Sequence, residues 1–214
     1  MEQHAAIPQS ASLTAPFTQG GLIIGITGGT GCGKTTLLET IEAQGGLVLD
    51  CDAIYHQLLR SDKEMLGAIA ERFPGTVEDG QLQRKKLGAI VFADEAALAD
   101  LNRITHSAVK KEVLHRLENR PELAAIDAIG LIEGGLAELC DVTVAVTAPL
   151  EDRVKRIMAR DGISEEYARN RIAAQKNDTW FRNNCHRVLV NDGTKADFQS
   201  KCVAFLQDVC IIKT

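Results

Sequence analysis

The chain of 214 residues is long enough to form one α/β domain with a sizeable core. Its formal net charge of −5 gives no basic footprint for nucleic acid or an anionic membrane, and no apolar run has the length of a transmembrane helix. Six cysteines without C-x-x-C spacing favour free thiols in a reducing compartment. We therefore expect a cytoplasmic protein without a nucleic-acid or membrane partner, and we expect it to be a monomer or a small homo-oligomer.

The first 20 residues differ in composition from the rest of the chain. They are rich in Ala, Ser, Gln, Pro and Thr, show no hydrophobic periodicity and lack the basic and apolar regions of a signal peptide. We predict that residues 1–20 form a mobile tail and that residues 21–214 form a single domain.

The phosphate-binding pattern G-x-x-x-x-G-K-[ST] begins at Gly28, between an apolar run at 22–27 and a helical pattern at 34–44. This order predicts a nucleotide-phosphate site, because glycines let successive backbone N–H groups point into one concave nest and the helix adds its positive end. Lys34 can reach the β- and γ-phosphates, and the Thr35 hydroxyl can ligate Mg²⁺. The predicted nucleotide-binding residues of this segment are Gly29, Thr30, Gly31, Cys32, Gly33, Lys34, Thr35 and Thr36.

A second predicted strand, 47–49, delivers Asp50 and Asp52 to its carboxyl end. Ligands of parallel α/β sheets bind at this edge, so both carboxylates are expected beside the phosphate loop. They point the same way as long as the chain stays extended. One of them is also expected to cap the helix that begins near Ala53.

Residues 53–118 are mostly helical by pattern, with helices at about 53–60, 62–72, 82–92 and 94–118. The segment is too long for a simple crossover helix, so we predict an inserted helical subdomain beside the site. It carries the basic cluster at 84–86 and His106, which composition alone leaves open as surface residues or site residues.

The next strand, at 124–129, carries Asp127 late in an apolar run. There its carboxylate could hold Mg²⁺ or a water bound to it, as the acidic residue on the corresponding strand of P-loop enzymes does. Another buried strand is predicted at 142–146, and a last one at 188–190 ends in Asn191 at the same edge. The C-terminal helix is predicted at about 195–209.

A helix at 150–160 is predicted to expose Arg153, Arg156 and Arg160 on one face. A break at Asp161-Gly162 precedes a second helix from Ser164, which carries further arginines and Gln175. Two arginine-bearing helices around a glycine hinge suit a lid, at about 153–178, that closes on phosphates. The alternative is a solvated basic face with acidic partners.

These residues together predict phosphoryl transfer to a hydroxyl group. Mg²⁺, Lys34 and Arg160 would stabilise the transferring phosphoryl group, and Arg156 and Asn191 would bind the nucleotide. A carboxylate would accept the proton of the acceptor hydroxyl. Asp52 is the candidate for this base, and Asp50 is the alternative.

Over roughly residues 22–210 the sequence resembles the dephospho-CoA kinase family. The family's T-G-G-x-G-S-G-K-S and D-A-D correspond to 27–35 and 50–52, with Thr35 keeping the metal-binding hydroxyl. Its hydrophobic-x-R-x-x-L and L-N-x-I-x-H-P segments correspond to 82–87 and 101–107, and the lid arginines correspond as well.

The resemblance implies a P-loop kinase fold whose helical insert holds dephospho-CoA. It also implies transfer from ATP with Mg²⁺ to the ribose 3′-hydroxyl, which gives coenzyme A. The acceptor residues that it implies are Asp50, Arg84, His106 and Glu133. Two departures bear on the shape of the acceptor pocket: Ser107 stands for the family's Pro, and 129–133 reads Ile-Gly-Leu-Ile-Glu for P-L-L-F-E.

Three other functions share some of these features. A P-loop kinase for uridine or another small hydroxyl compound would have the same loop and lid. A GTPase-type switch would use the D-x-x-G at 127–130 and the T-K-x-D at 194–197, but both patterns are short and Asp127 is far from Lys34 in sequence. A purely structural nucleotide-binding module would need neither the paired carboxylates nor the lid arginines.

Overall fold

A computed structural model of the protein describes residues 21–119 and 121–211. Their strands are β1 Leu22–Thr27, β2 Leu47–Asp50, β3 Val77–Glu78, β4 Gln81–Leu82, β5 Leu123–Asp127, β6 Val142–Thr147 and β7 Arg187–Val190. Five of them form one sheet in the order β2-β5-β1-β6-β7, with parallel pairing throughout. The strands β3 and β4 form a separate antiparallel pair.

Helices fill most of the remaining described chain. They are α1 Lys34–Ala43, α2 Cys51–Ser61, α3 Lys63–Arg72, α4 Arg84–Val91, α5 Glu95–Arg116, α6 Leu150–Asp161, α7 Glu165–Ala173, α8 Asp178–Asn184 and α9 Lys195–Ile211. A short 3₁₀ helix covers Ala137–Leu139. In the described part of the chain, no helix combines the length and apolar character needed to cross a membrane.

The sheet is buried on both faces, which explains why its strands are apolar runs rather than alternating ones. In β5, Ala124 and Ile126 belong to a core cluster with residues of α2 to α5, whereas Ala125 belongs to a cluster with residues of α1 and α9. Successive side chains of a strand point to opposite faces, so each strand contributes to both cores. The carboxyl edge of this sheet is the edge to which the phosphate loop is attached.

The helices α6 and α7 follow one another in the chain and pack around their own apolar cluster; together they are called here the lid hairpin. The cluster consists of Val154, Ile157, Ala168 and Ile172. Gly162 closes α6 in the left-handed region, at φ 65°. Glycine has no Cβ to oppose this conformation, so the chain can reverse there.

Several local predictions are corrected by the structure. Residues 77–82 form the β3–β4 pair rather than a break followed by a helix from 82, and α8 was not predicted. The helix after β2 begins at Cys51, so Asp52 lies in its first turn and not on an extended chain beside Asp50. The second helix of the lid hairpin ends at Ala173, before Gln175. The predicted tail at 1–20 lies outside the described residues.

Candidate active site

The phosphate loop joins β1 to α1, and no side chain caps the first N–H groups of the helix. Gly33 precedes α1 at φ 93° and provides no side-chain cap. A Cβ on Gly33 would lie 2.3 Å from Asn191 Nδ2, and one on Gly28 would lie 2.2 Å from the Val146 carbonyl oxygen. Only glycine fits these positions, and the uncapped N–H groups at the helix start are available to an anion.

Lys34 lies across the loop. Its Nζ donates a hydrogen bond to the Gly28 carbonyl oxygen at 3.2 Å and is 3.9 Å from Asp127 Oδ1. Thr35 is exposed to the same cavity as Lys34. The loop therefore presents an ammonium group and a hydroxyl group on the side where its backbone N–H groups are open.

Asp127 ends β5 beside Asp50, its partner in the β2–β5 register. Burial raises the pKa of the Asp127 carboxyl to about 6, with Lys34 opposing the rise and the charges of Asp50 and Asp52 adding to it. Its Oδ1 is buried and accepts no hydrogen bond from any described residue. A buried carboxylate oxygen without a donor is costly unless a cation or a proton satisfies it.

Asp50, the last residue of β2, and Asp52, in the first turn of α2, have different roles. Asp50 caps α2, since its Oδ1 accepts hydrogen bonds from the N–H groups of Asp52 at 2.9 Å and Ala53 at 3.0 Å. The expectation that one of the pair caps this helix is thus confirmed. Asp52 is exposed, and its position in the first turn of α2 is fixed by the cap.

Two cavities meet at Asp52. The first, of ≈ 410 Å³, is lined by the phosphate loop and the lid hairpin: Gly29, Thr30, Gly31, Gly33, Lys34, Thr35, Asp52, Asp127, Ile129, Arg156, Arg160 and Arg171. The second, of ≈ 260 Å³, lies between α2, α5 and the loop after β5, and is lined by Cys51, Asp52, Tyr55, Leu101, Asn102, Thr105, His106, Val109, Ala128, Ile129, Gly130, Gly134 and Leu136. Asp52 and Ile129 line both, so they stand where contents of the two cavities would touch.

The lid hairpin brings three arginines to the first cavity. Arg156 Nη1 donates to the Gly31 carbonyl oxygen at 3.3 Å, and Arg160 Nη2 is 3.4 Å from Thr30 Oγ1. Arg171 Nη1 donates to Asp161 Oδ2 at 2.6 Å, and Arg160 Nε donates to Asp161 Oδ1 at 2.7 Å. Hydrogen bonds from Arg160 and Arg171 lower the pKa of Asp161 to about 2. Asp161 therefore bridges two guanidinium groups beside the phosphate loop.

Arg153 shares the helix face of Arg156 and Arg160, as predicted, but the prediction that it is exposed is wrong. Its side chain is buried, and the residue is 6% exposed. Its Nε donates to the Thr30 carbonyl oxygen at 3.0 Å. The spacing of the arginines identified a common face but not how closely that face packs on the loop.

Of the predicted acceptor residues His106, Arg84 and Glu133, only His106 lines one of the two cavities. His106 lines the second cavity next to Gly134, and Arg84 is exposed in α4, where its charge opposes the burial-driven rise in the pKa of Tyr55. Glu133 lines neither cavity and lies 3.9 Å from Lys176 Nζ.

The remaining predicted nucleotide-binding residues support the loop from inside. Asn191 Nδ2 donates to the Cys32 carbonyl oxygen at 2.9 Å, and both residues are buried. Burial raises the pKa of the Cys32 thiol, so the thiol stays protonated. Thr36 lies in the first turn of α1 and lines neither cavity.

Sequence reasoning did not select Tyr55 or Asp161 as site residues, and it named Ile129 only as a departure from the family's pattern beside the acceptor pocket. Tyr55 follows Asp52 by three residues on α2, so helical spacing could have placed it on the same face. Ile129 follows the end of β5 by two residues, which puts it at the ligand edge. No sequence pattern indicates that Asp161 bridges two arginines, because this contact depends on how α6 and α7 pack.

The T-K-x-D pattern has a structural explanation. Thr194 precedes α9, and Asp197 Oδ2 accepts hydrogen bonds from its N–H at 3.0 Å and its hydroxyl at 2.7 Å. The Asp197 N–H in turn donates to Thr194 Oγ1 at 3.2 Å. This is a capping box, which satisfies N–H groups at a helix start and requires no guanine ligand.

Comparisons with known proteins agree with one another. The family model described as CoaE, dephospho-CoA kinase, matches residues 22–197. A dephospho-CoA kinase from Thermobifida fusca is 34% identical over 184 residues, which are 84% of this chain and 92% of that protein. The crystal structure of TT1252 from Thermus thermophilus is 34% identical with a TM-score of 0.74, over 89% of this chain and 98% of that one. A dephospho-CoA kinase structure from Campylobacter jejuni is 26% identical with a TM-score of 0.63, over 87% and 96%.

Proposed function

The chain belongs to the dephospho-CoA kinase family and phosphorylates dephospho-CoA with ATP to give coenzyme A, and we propose that the residues around Asp52 carry out the transfer to the ribose 3′-hydroxyl. The predicted P-loop kinase fold is confirmed as well. The observation that carries the residue assignment is the position of Asp52 at the junction of the two cavities. A uridine-type kinase or a GTPase-type switch is not favoured by the family.

The first cavity is the proposed ATP site. The open N–H groups of the phosphate loop, with Lys34, Arg156 and Arg160, would hold the phosphates and stabilise charge that develops on the transferring group. Arg171 adds a third guanidinium to the same cavity. Cys32 and Asn191 would act by fixing the loop, since their hydrogen bond joins its interior to the chain after β7.

Thr35 and Asp127 are the proposed holders of Mg²⁺. Both line the first cavity, and the buried Asp127 Oδ1 without a hydrogen-bond donor fits a hard cation that prefers oxygen ligands. When bound, Mg²⁺ would neutralise phosphate charge. Asp127 would place a negative charge near this cation and keep Lys34 oriented over the loop.

The second cavity is the proposed entrance for the acceptor. The helical insert, about 53–118, would hold dephospho-CoA with His106 at the cavity wall and Arg84 near its rim. Asp50 would help by fixing the first turn of α2, and Glu133 remains a predicted acceptor residue. Asp52 would accept the proton of the 3′-hydroxyl as that oxygen attacks the γ-phosphorus.

The lid, about 153–178, is proposed to close over bound phosphates with its arginines. We also propose a cytoplasmic location, supported by six cysteines that are free thiols, four of them buried. A monomer or a small homo-oligomer is the proposed assembly, which sedimentation of the purified protein would measure.

The acceptor is tested by the release of ADP from ATP and Mg²⁺ with dephospho-CoA, uridine, AMP or no acceptor in parallel. The proposal predicts ADP only with dephospho-CoA, and a product with the mass of coenzyme A and a 3′-phosphate. ADP formed with uridine instead would contradict the proposed acceptor.

A further inference from the structure

The peptide unit of Thr30, in the middle of the phosphate loop, is held from both sides by two side chains of the lid segment. Its N–H donates to Gln175 Oε1 at 2.8 Å, and its carbonyl oxygen accepts from Arg153 Nε at 3.0 Å. Arg153 Nη2 also donates to Gln175 Oε1, at 3.2 Å. The three groups form a closed set of hydrogen bonds, called here the Thr30 clamp.

The clamp leaves no room for a side chain at either of the two glycines that flank Thr30. A Cβ on Gly29 would lie 2.2 Å from Arg153 Nη2 and 3.0 Å from Gln175 Oε1. A Cβ on Gly31 would lie 2.9 Å from the Arg153 carbonyl oxygen. The loop backbone therefore packs directly against Arg153, and the contact is part of the interior rather than a surface encounter.

The charge of Arg153 is also part of this arrangement. Among the described residues, no carboxylate forms an ion pair with the buried guanidinium, whose hydrogen bonds go to neutral oxygens. Its charge still acts on the loop, because it lowers the pKa of Cys32 against the effect of burial. A buried cation facing a phosphate loop adds to the attraction for an anion.

The clamp lies at the base of the lid hairpin. Arg153 is in the first turn of α6, and Gln175 follows the end of α7, so both ends of the hairpin meet at Thr30. Gly162 is the turn at the other end of the same unit. The predicted glycine hinge therefore lies between the two helices, and the clamp joins residues from the start and the end of the unit to the phosphate loop.

From this geometry we propose that Gln175 is a positioning residue for phosphoryl transfer. It fixes the Thr30 peptide and Arg153, and thereby sets where the lid hairpin places Arg156 and Arg160 over the phosphates. Those two arginines contact Gly31 and Thr30, so a shift of either residue moves them directly. The role in transfer rests on the proposed function, whereas the clamp itself can be measured without substrates.

The test uses two substitutions of nearly equal size. Both hydrogen bonds of Gln175 in the clamp end on Oε1, so Gln175→Glu keeps the acceptor and Gln175→Met removes it. The control is Gln199→Met, the same change at an exposed position of α9. Hydrogen exchange of the loop peptide without ligands is measured for all three variants, and steady-state kinetics with ATP and dephospho-CoA are measured for the two Met variants.

Gln175→Met is expected to lower kcat/KM for ATP about tenfold or more. The Thr30 N–H would lose its acceptor, and the phosphate loop would then adopt other conformations. The KM for dephospho-CoA should stay unchanged, since Gln175 lines neither cavity. Exchange at Thr30 should become faster. Gln175→Glu keeps the acceptor but adds a negative charge beside Arg153, so it is compared in exchange alone, where Thr30 should stay as protected as in the wild type. Gln199→Met should remain within about threefold of the wild type in kcat/KM, a difference below 1 kcal/mol.

Two results would overturn the proposal: wild-type kcat/KM for ATP in Gln175→Met, with or without faster exchange, and equally fast Thr30 exchange in the Met and Glu variants. If the wild type itself failed to phosphorylate dephospho-CoA, the proposed function would fail. Faster Thr30 exchange in Gln175→Met would then still support the clamp, and unchanged exchange would refute it.

Discussion

Replacing Asp127 by Asn should make the protein more stable and less active. The carboxyl is buried at the end of β5, and its pKa is raised from 3.8 to about 6. Lys34, at 3.9 Å, only partly offsets the cost of burying this charge. An amide of the same shape carries no charge, but it is a poor substitute for a carboxylate that holds Mg²⁺.

The magnitude follows from the pKa. A rise of about two units, at about 1.4 kcal/mol per unit, corresponds to about 3 kcal/mol. Below pH 3.8 the carboxyl is neutral in folded and unfolded chains, so it has no such cost. As the pH rises from 3.8 through about 6, the folded protein must ionise a buried group. The free energy of unfolding of the wild type therefore falls relative to that of the Asn variant.

Urea unfolding in EDTA, at several pH values, measures the effect. The stability advantage of Asp127→Asn should widen by about 1.5 kcal/mol between about pH 5 and pH 8. Glu42→Gln is the control for the loss of one charge, since it removes an exposed carboxylate of α1 that does not act on the pKa of Asp127. An advantage that does not vary with pH would refute the reasoning from burial.

Two further substitutions test the first cavity and the junction. Lys34→Ala should lower kcat by about 10²–10³, the usual loss when a group that stabilises transition-state charge is removed, as steady-state kinetics will measure. Ile129→Ala should raise ADP release in the absence of an acceptor, because the half-exposed Ile129 side chain stands between the two cavities and its loss admits water to the phosphates. Ile90→Ala, at an exposed position of α4, is the control and should leave this rate unchanged.

Wild-type kcat in Lys34→Ala would mean that the loop does not bind the transferred phosphate. For Ile129, the contrary result is acceptor-independent ADP release equal to that of the Ile90 variant. Both results concern the place where the two cavities meet, because Lys34 and Ile129 both line the first cavity, the proposed ATP site.

The phosphate loop could be predicted from sequence because its information is local. The fixed residues from Gly28 to Thr35 are contiguous, and the flanking strand and helix follow from hydrophobic patterns. The placement of Asp50 and Asp127 at one edge follows from the rule that parallel strands end together, and the structure pairs these two residues in register.

Most features of the site that the sequence did not predict depend on contacts between distant parts of the chain. Thr30 and Gln175 are 145 positions apart, and no periodicity indicates that an amide after α7 should reach the loop. Helical spacing showed that Arg153 shares a face with Arg156, but whether that face meets solvent or backbone is decided by packing. The β3–β4 pair escaped prediction because two residues per strand are too few to show alternation.

The most direct test of the account compares ATP binding and turnover in Asp52→Asn. Asp52 lines both cavities, so the account assigns it to proton acceptance and not to holding ATP. We predict an ATP dissociation constant within about twofold of the wild type by calorimetry, and a loss of about 10²–10⁴ in the rate of coenzyme A formation. Turnover close to that of the wild type would contradict the account, because the acceptor hydroxyl would then lose its proton without Asp52.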